Sequence, residues 1–189
     1  MNNKQDTQVK QLLYSNDDNL EINWIGKDNE GFLRGIDSKE AISILLFDLT
    51  DSMKINNIYL LSQADYNNGK ECSSCLIEDV NFKIDDNEYD TFLRCIHKDL
   101  DIKNPNVDSC YYLGKVNHNI PFKKVYNAYA FCVNDYIKSP KGFELDIPKG
   151  EINGKYYSLK KMKFSRVIKG ECNDSLVLSS CMLLLSYLS

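Results

Sequence analysis

Residues 124–133 read Lys-Val-Tyr-Asn-Ala-Tyr-Ala-Phe-Cys-Val, a nearly continuous apolar and aromatic run. Such a run has the composition of a strand buried on both faces. A strand of that kind needs paired neighbours at both edges and cover above and below. Residues 142–147, Gly-Phe-Glu-Leu-Asp-Ile, alternate and stop at Pro148, the pattern of a half-buried strand. Lys149 and Gly150 supply turn chemistry, and Gly154-Lys-Tyr-Tyr-Ser-Leu159 begins another strand. The expectation is an α+β fold, with a mixed, mainly antiparallel sheet centred on residues 124–133 and two to three covering helices.

The rest of the chain supplies candidates for those neighbours. Residues 1–18 are polar apart from Leu12, Leu13 and Tyr14, and read as an N-terminal arm before a single α+β domain over 19–189. Leu20, Ile22 and Trp24 alternate with polar residues, then residues 26–31 turn the chain into Phe32 and Leu33. This predicts a hairpin with a six-residue loop. Asp37 and Glu40 resemble a capping box, and Ile42, Leu45, Leu46, Leu49 and Met53 share one helical stripe. A helix over 37–53 is expected, although the same residues are rich in sheet formers. Strands are expected at 57–61 and 76–84, with a turn at 65–69. Asp85 and Glu88 open a helix over 85–100, with Tyr89, Phe92, Leu93, Ile96 and Leu100 on one face. Asp174 caps a last helix, 174–188, that is apolar nearly all round.

A chain of 189 residues with a net charge of −4 argues against nucleic acid as a partner. The first residues carry no apolar secretory run, and the seven scattered Cys fit free thiols in a reducing compartment. The apolar segment 176–188 is too short to span a bilayer. A cytoplasmic location, with no membrane contact, is expected.

Chemical motifs are few. Cys72-Ser-Ser-Cys75 has the spacing of a zinc knuckle or a redox dithiol, but Cys95 and His97 point to different sides of their helix and cannot complete a metal site together. His118 lies in a polar stretch before Pro121, where it could pair with Cys110 or Cys132. Residues 155–169 hold six bases and no acid, with Tyr156, Tyr157 and Phe164 between them; a face that balances an acidic body explains this better than a strand-binding surface. Neither a phosphate loop nor a hydrolase elbow is present, and no metal or cofactor is expected.

The marks Leu113-Gly114, Pro121, Tyr126-Asn-Ala-Tyr-Ala-Phe131, Pro140, Ile147-Pro148 and Gly154-Lys-Tyr156 are similar in layout to the gyrase-inhibitor-like (GyrI-like) small-molecule-binding domain, over residues 76–188. That resemblance implies paired strand–helix–strand–strand units enclosing a groove for apolar, often cationic ligands. The family closes with a further strand carrying a ligand-contacting Glu, and no residue here takes that role.

The reading that follows is a non-catalytic binding module for a small apolar or cationic ligand, with Tyr126, Tyr129, Phe131, Tyr156 and Tyr157 as candidate ligand-binding residues. Two alternatives stand beside it. One is a small regulatory or neutralising protein acting through protein–protein contact, self-associating or meeting a partner through its C-terminal helix. The other is a cysteine-dependent enzyme using His118.

Overall fold

The structure is a computed structural model that describes residues 9–15, 20–27, 30–37, 39–64, 71–118, 122–137, 151–152 and 155–189. The expected strand at 142–147 and turn at 65–69 lie outside these residues. The chain divides into two compact units, residues 1–40 with 117–125, and residues 41–116 with 126–189.

In the first unit, β1 (Val9–Ser15), β2 (Leu20–Lys27) and β3 (Glu30–Asp37) form an antiparallel meander. The segment expected as a polar arm thus contributes a strand. The hairpin is tighter than expected. Gly26 and Gly31 face each other across it, and pairing continues to Lys27 and Glu30. Gly35 and Ile36 of β3 pair in parallel with Phe122 and Lys123, the first residues of β9 (Phe122–Cys132).

The second unit is built on β4 (Ala41–Leu49) and the remainder of β9. Ala41–Phe47 run parallel to Tyr126–Cys132 in unbroken register. On its other edge β4 meets two antiparallel partners. Its first half pairs with β7 (Leu76–Asp79), and its second half with β5 (Ile55–Ala64). β6 (Glu71–Ser74) and β11 (Lys155–Lys163) flank β5, β10 (Glu151–Ile152) pairs with β11, and β8 (Cys110–His118) pairs with β9. The sheet is mixed and mainly antiparallel, and residues 124–133 lie in its middle.

The expectation of a helix over 37–53 is overturned. All nine residues of β4 are buried, which a helix lying on a sheet surface cannot achieve. Helical spacing in this run is a by-product of apolar residues at nearly every position, and the β-branched and aromatic residues among them suit a strand buried on both faces. The strand expected at 76–84 ends at Asp79. Phe82 and Ile84 lie in a turn and are 62% and 69% exposed.

Helices cover both faces. α1 (Glu88–Leu100) lies over Ile42, Ile44, Leu46, Tyr129, Phe131 and Val133 through Phe92, Cys95, Ile96 and Leu100. Its cap is Asn87 rather than Asp85; the Asn87 side chain accepts from Tyr89 N and Asp90 N at 2.9 and 3.1 Å. Two short turns, α2 (Asn134–Ile137) and α3 (Phe164–Arg166), follow β9 and β11. On the opposite face α4 (Ser175–Leu188), capped by Asp174 as expected, buries Leu176, Val177, Cys181 and Leu184. Val177, Cys181 and Leu184 pack with Leu45, Phe47, Ile58, Leu60, Ala130 and Cys132, and Leu176 packs with Val116 and Ala128. One face of α4 is therefore core, while Met182, Leu185 and Tyr187 are exposed. Among the described residues no helix is long and apolar enough to cross a membrane.

Where β4 turns into β5, the buried Asp48 carboxylate accepts from Asn57 N at 2.8 Å, Asn57 Nδ2 at 2.9 and 2.7 Å, and Tyr59 Oη at 2.7 Å. Burial, then Asp48 beside it, pushes the Tyr59 phenol far up. Asp48→Ala orphans these donors and is expected to cost about 2–3 kcal/mol in urea unfolding. A cost under about 0.5 kcal/mol would contradict this account.

Candidate active site

α1 concentrates the charged chemistry of the second unit. Its apolar stripe fixes the face turned to the sheet, and Arg94 and Lys98, one turn apart, share the same side of the helix. Arg94 reaches two acids. Nη1 donates to Glu78 Oε1 of β7 at 2.8 Å, Nε to Asp85 Oδ1 at 3.0 Å, and Nη2 to Asp85 Oδ2 at 2.8 Å. The Thr91 hydroxyl donates to the same Asp85 oxygen at 2.8 Å. Lys98 Nζ stands 3.5 Å from Glu78 Oε2 and remains half exposed. Arg94 hydrogen bonds hold the Asp85 carboxyl below the usual carboxylate range, and the same bonds raise the Arg94 guanidinium above its own.

Beside this cluster, under the helix, the Cys95 thiol donates to Asp99 Oδ2 at 3.1 Å. Burial pushes the Cys95 thiol well up and raises the Asp99 carboxyl. A thiol so placed is a protonated hydrogen-bond donor, not a thiolate. At the other end of α1, Asn127 Nδ2 donates to Glu88 Oε1 at 3.2 Å and Tyr112 Oη donates to Asn127 Oδ1 at 3.3 Å. The half-exposed Tyr112 ring leans on Tyr129 with centroids 5.2 Å apart, and Tyr129 leans on Phe92 at 5.1 Å. Burial, then Glu88, pushes the Tyr129 phenol up to about 12.

β9 distributes the aromatic candidates over both faces of the sheet. Tyr129 and Phe131 face α1, whereas Tyr126 packs with Val116, Ala128 and Leu176. Phe131 is fully buried between Phe92 and Tyr136. Tyr156 and Tyr157 belong to the backbone of β11, and their side chains lie outside the described residues, as do those of Cys72 and His118. Cys75 is buried, and burial raises its thiol well above the ordinary range. Among the described residues no group of three or more His, Cys, Asp or Glu is placed to hold a metal ion.

The pairing of His118 with Cys110 fails on geometry. Cys110 and His118 are the first and last residues of β8, which puts them roughly 26 Å apart along an extended strand. Cys132 is buried, and its thiol donates to Asn134 Oδ1 at 3.2 Å. Burial raises both the Cys110 and Cys132 thiols, the reverse of nucleophile activation. In the basic run, Lys163 donates to Asn56 at 2.8 Å, Lys161 lies over the Tyr59 ring, and Arg166 pairs with Glu171. These are contacts within the protein.

Sequence reasoning missed the Arg94–Asp85–Glu78 cluster. Its members are 9 and 16 residues apart, so no helical or strand spacing announces them. The available signal was a cation inside a stripe-bearing helix with two acids in the preceding strand and turn.

The sequence matches no family model and no curated protein. Solved structures do match. An "ADP compounds hydrolase" aligns over 97% of this chain and 96% of its own, at 11% identity and a TM-score of 0.56. NrtR of Shewanella oneidensis aligns over 79% of this chain and 64% of its own, at 13% identity and a TM-score of 0.49. A "posible asymmetric diadenosine tetraphosphate (Ap(4)A) hydrolase" of Jonesia denitrificans aligns over 80% and 91%, at 11% identity and a TM-score of 0.45. Of these neighbours only the first is near enough to bear on the fold.

That likeness replaces the GyrI-like expectation, and Gly114, one of the marks that carried it, is an interior residue of β8. The non-catalytic binding module goes with it, because it drew its groove from that resemblance. The same likeness does not favour the regulatory protein or the cysteine enzyme. Over nearly its whole length the chain is similar in fold to an ADP compounds hydrolase.

Proposed function

We propose that this chain hydrolyses a nucleoside diphosphate compound at the charged side of α1. The observation that carries the reading is the end-to-end likeness in fold to an ADP compounds hydrolase. Three local features support it. Lys98 presents a half-exposed ammonium beside Arg94, and cations so placed stabilise charge developing on a transferring phosphoryl group. Glu78, held between those cations, is the carboxylate suited to take a proton from the attacking water. Tyr112, half exposed against Tyr129, offers an aromatic surface for a base.

The reaction adds one water. Its oxygen forms a bond to phosphorus, the bridging P–O bond breaks, and the water's proton passes through Glu78 to the leaving phosphate. Incubation with ADP joined through its terminal phosphate to a sugar, followed by chromatography, tests this. Release of AMP is expected, with Lys98→Met and Glu78→Gln each slowing it by at least about tenfold. Absence of both product and a heat of ADP binding would overturn the reading.

A further inference from the structure

We infer that Arg94 and Lys98 are the resident cations of the β7–α1 carboxylate cluster, taking the place of a divalent metal ion and closing the native helix to Mg2+ and Mn2+. Diphosphate hydrolysis commonly draws on such an ion, so the donor set decides whether this chain holds one. Both Glu78 oxygens face a cation, Arg94 Nη1 at 2.8 Å and Lys98 Nζ at 3.5 Å. Both Asp85 oxygens accept from the guanidinium, and one accepts again from Thr91. Two carboxylates are thus matched by two side-chain cations.

A hard divalent ion needs several oxygen ligands with free lone pairs at about 2.0–2.6 Å. Here it would have to displace a bidentate guanidinium, the stronger form of charged hydrogen bond. It would also approach two like charges at close range. Asp99, next to Lys98 in the chain, is buried and engaged by the Cys95 thiol, so it adds no free ligand. The positive charge that the proposed reaction needs is then supplied by side chains. The inference rests on the proposed function only for what that charge does, because the closure to metal is a property of the free protein.

The test is a Mn2+ titration of the full chain without nucleotide, with free Mn2+ followed by electron paramagnetic resonance. The native protein is expected to leave Mn2+ free up to about 1 mM. Lys98→Glu, at a half-exposed position, removes one resident cation and places a third carboxylate beside Glu78. It is expected to bind Mn2+ at least about tenfold more tightly than the native chain, whereas Lys98→Gln, which only removes charge, gains less. Tight binding by the native protein that Glu78→Gln abolishes would overturn the inference, and so would a folded Lys98→Glu protein no tighter than native. If circular dichroism shows Lys98→Glu unfolded, the comparison of native with Glu78→Gln decides alone. Lack of hydrolysis with the expected metal profile would refute the proposed function and leave this inference standing.

Discussion

Phe131→Ala is expected to destabilise the protein by about 3–5 kcal/mol, lowering the unfolding midpoint by roughly 10 °C. Phe131 is fully buried, and its ring meets Phe92 at 6.2 Å and Tyr136 at 5.4 Å. Truncation removes the aromatic contacts and leaves a cavity between α1 and the sheet that neither rigid element can collapse to fill. Tyr112→Ala is the matching control. That ring is 49% exposed, so its loss should cost less than about 1 kcal/mol. Differential scanning calorimetry of both variants checks the pair. Equal losses would mean that β9 is not the central strand of a packed core.

Arg94→Ala carries the second large effect, about 2 kcal/mol at neutral pH. A fully buried ion pair broken from one side costs about 3–5 kcal/mol, and Arg94, at 29% side-chain exposure against 4% for Asp85, falls below that range. The pH dependence follows from Asp85. Arg94 hydrogen bonds lower its folded pKa beneath the ordinary carboxylate value. Its contribution is therefore complete above the unfolded pKa, near 3.9, and is lost as pH falls through the lower folded value. The gap between native and variant should be widest near pH 7 and close below about pH 4. Urea unfolding at pH 7, 5 and 3.5 measures it. A gap that widens on acidification would contradict the assignment.

What the sequence discloses differs from element to element for physical reasons. The centre of the sheet is legible in residues 124–133 because a strand buried on both faces must be apolar at nearly every position. α4 is legible because Asp174 caps it and no other conformation suits so long an apolar run at the chain's surface. α1 is legible in its stripe, but its cap is not. Asp85 and Asn87 both fit a helix start, and only the tertiary bond from Arg94 to Asp85 removes the first from contention.

β4 is the instructive failure. Ile42, Leu45, Leu46 and Leu49 satisfy a helical stripe only because Ile44 and Phe47 between them are apolar too, and all are buried. Periodicity cannot separate the two structures when both faces are covered. The charged cluster was hidden for another reason. Arg94, Glu78 and Asp85 meet through the packing of α1 on β7, which no local spacing encodes. Similarity of fold at 11% identity lies beyond what a motif search can see.

The parallel pairing of β4 with β9 also sets the order in which the molecule can assemble. All nine residues of β4 are buried in the finished fold, yet their register partners end at Cys132, about 80 residues later in the chain. At synthesis rates of about 5–20 residues per second, β4 waits roughly 4–16 s for its longest neighbour. During that interval the β4–β5 hairpin presents an apolar edge whose backbone groups are unpaired, the template for joining another chain. Nascent chains released between residues 64 and 122 are therefore the species most exposed to chaperones and to aggregation, and the vulnerability of this protein is concentrated in its birth.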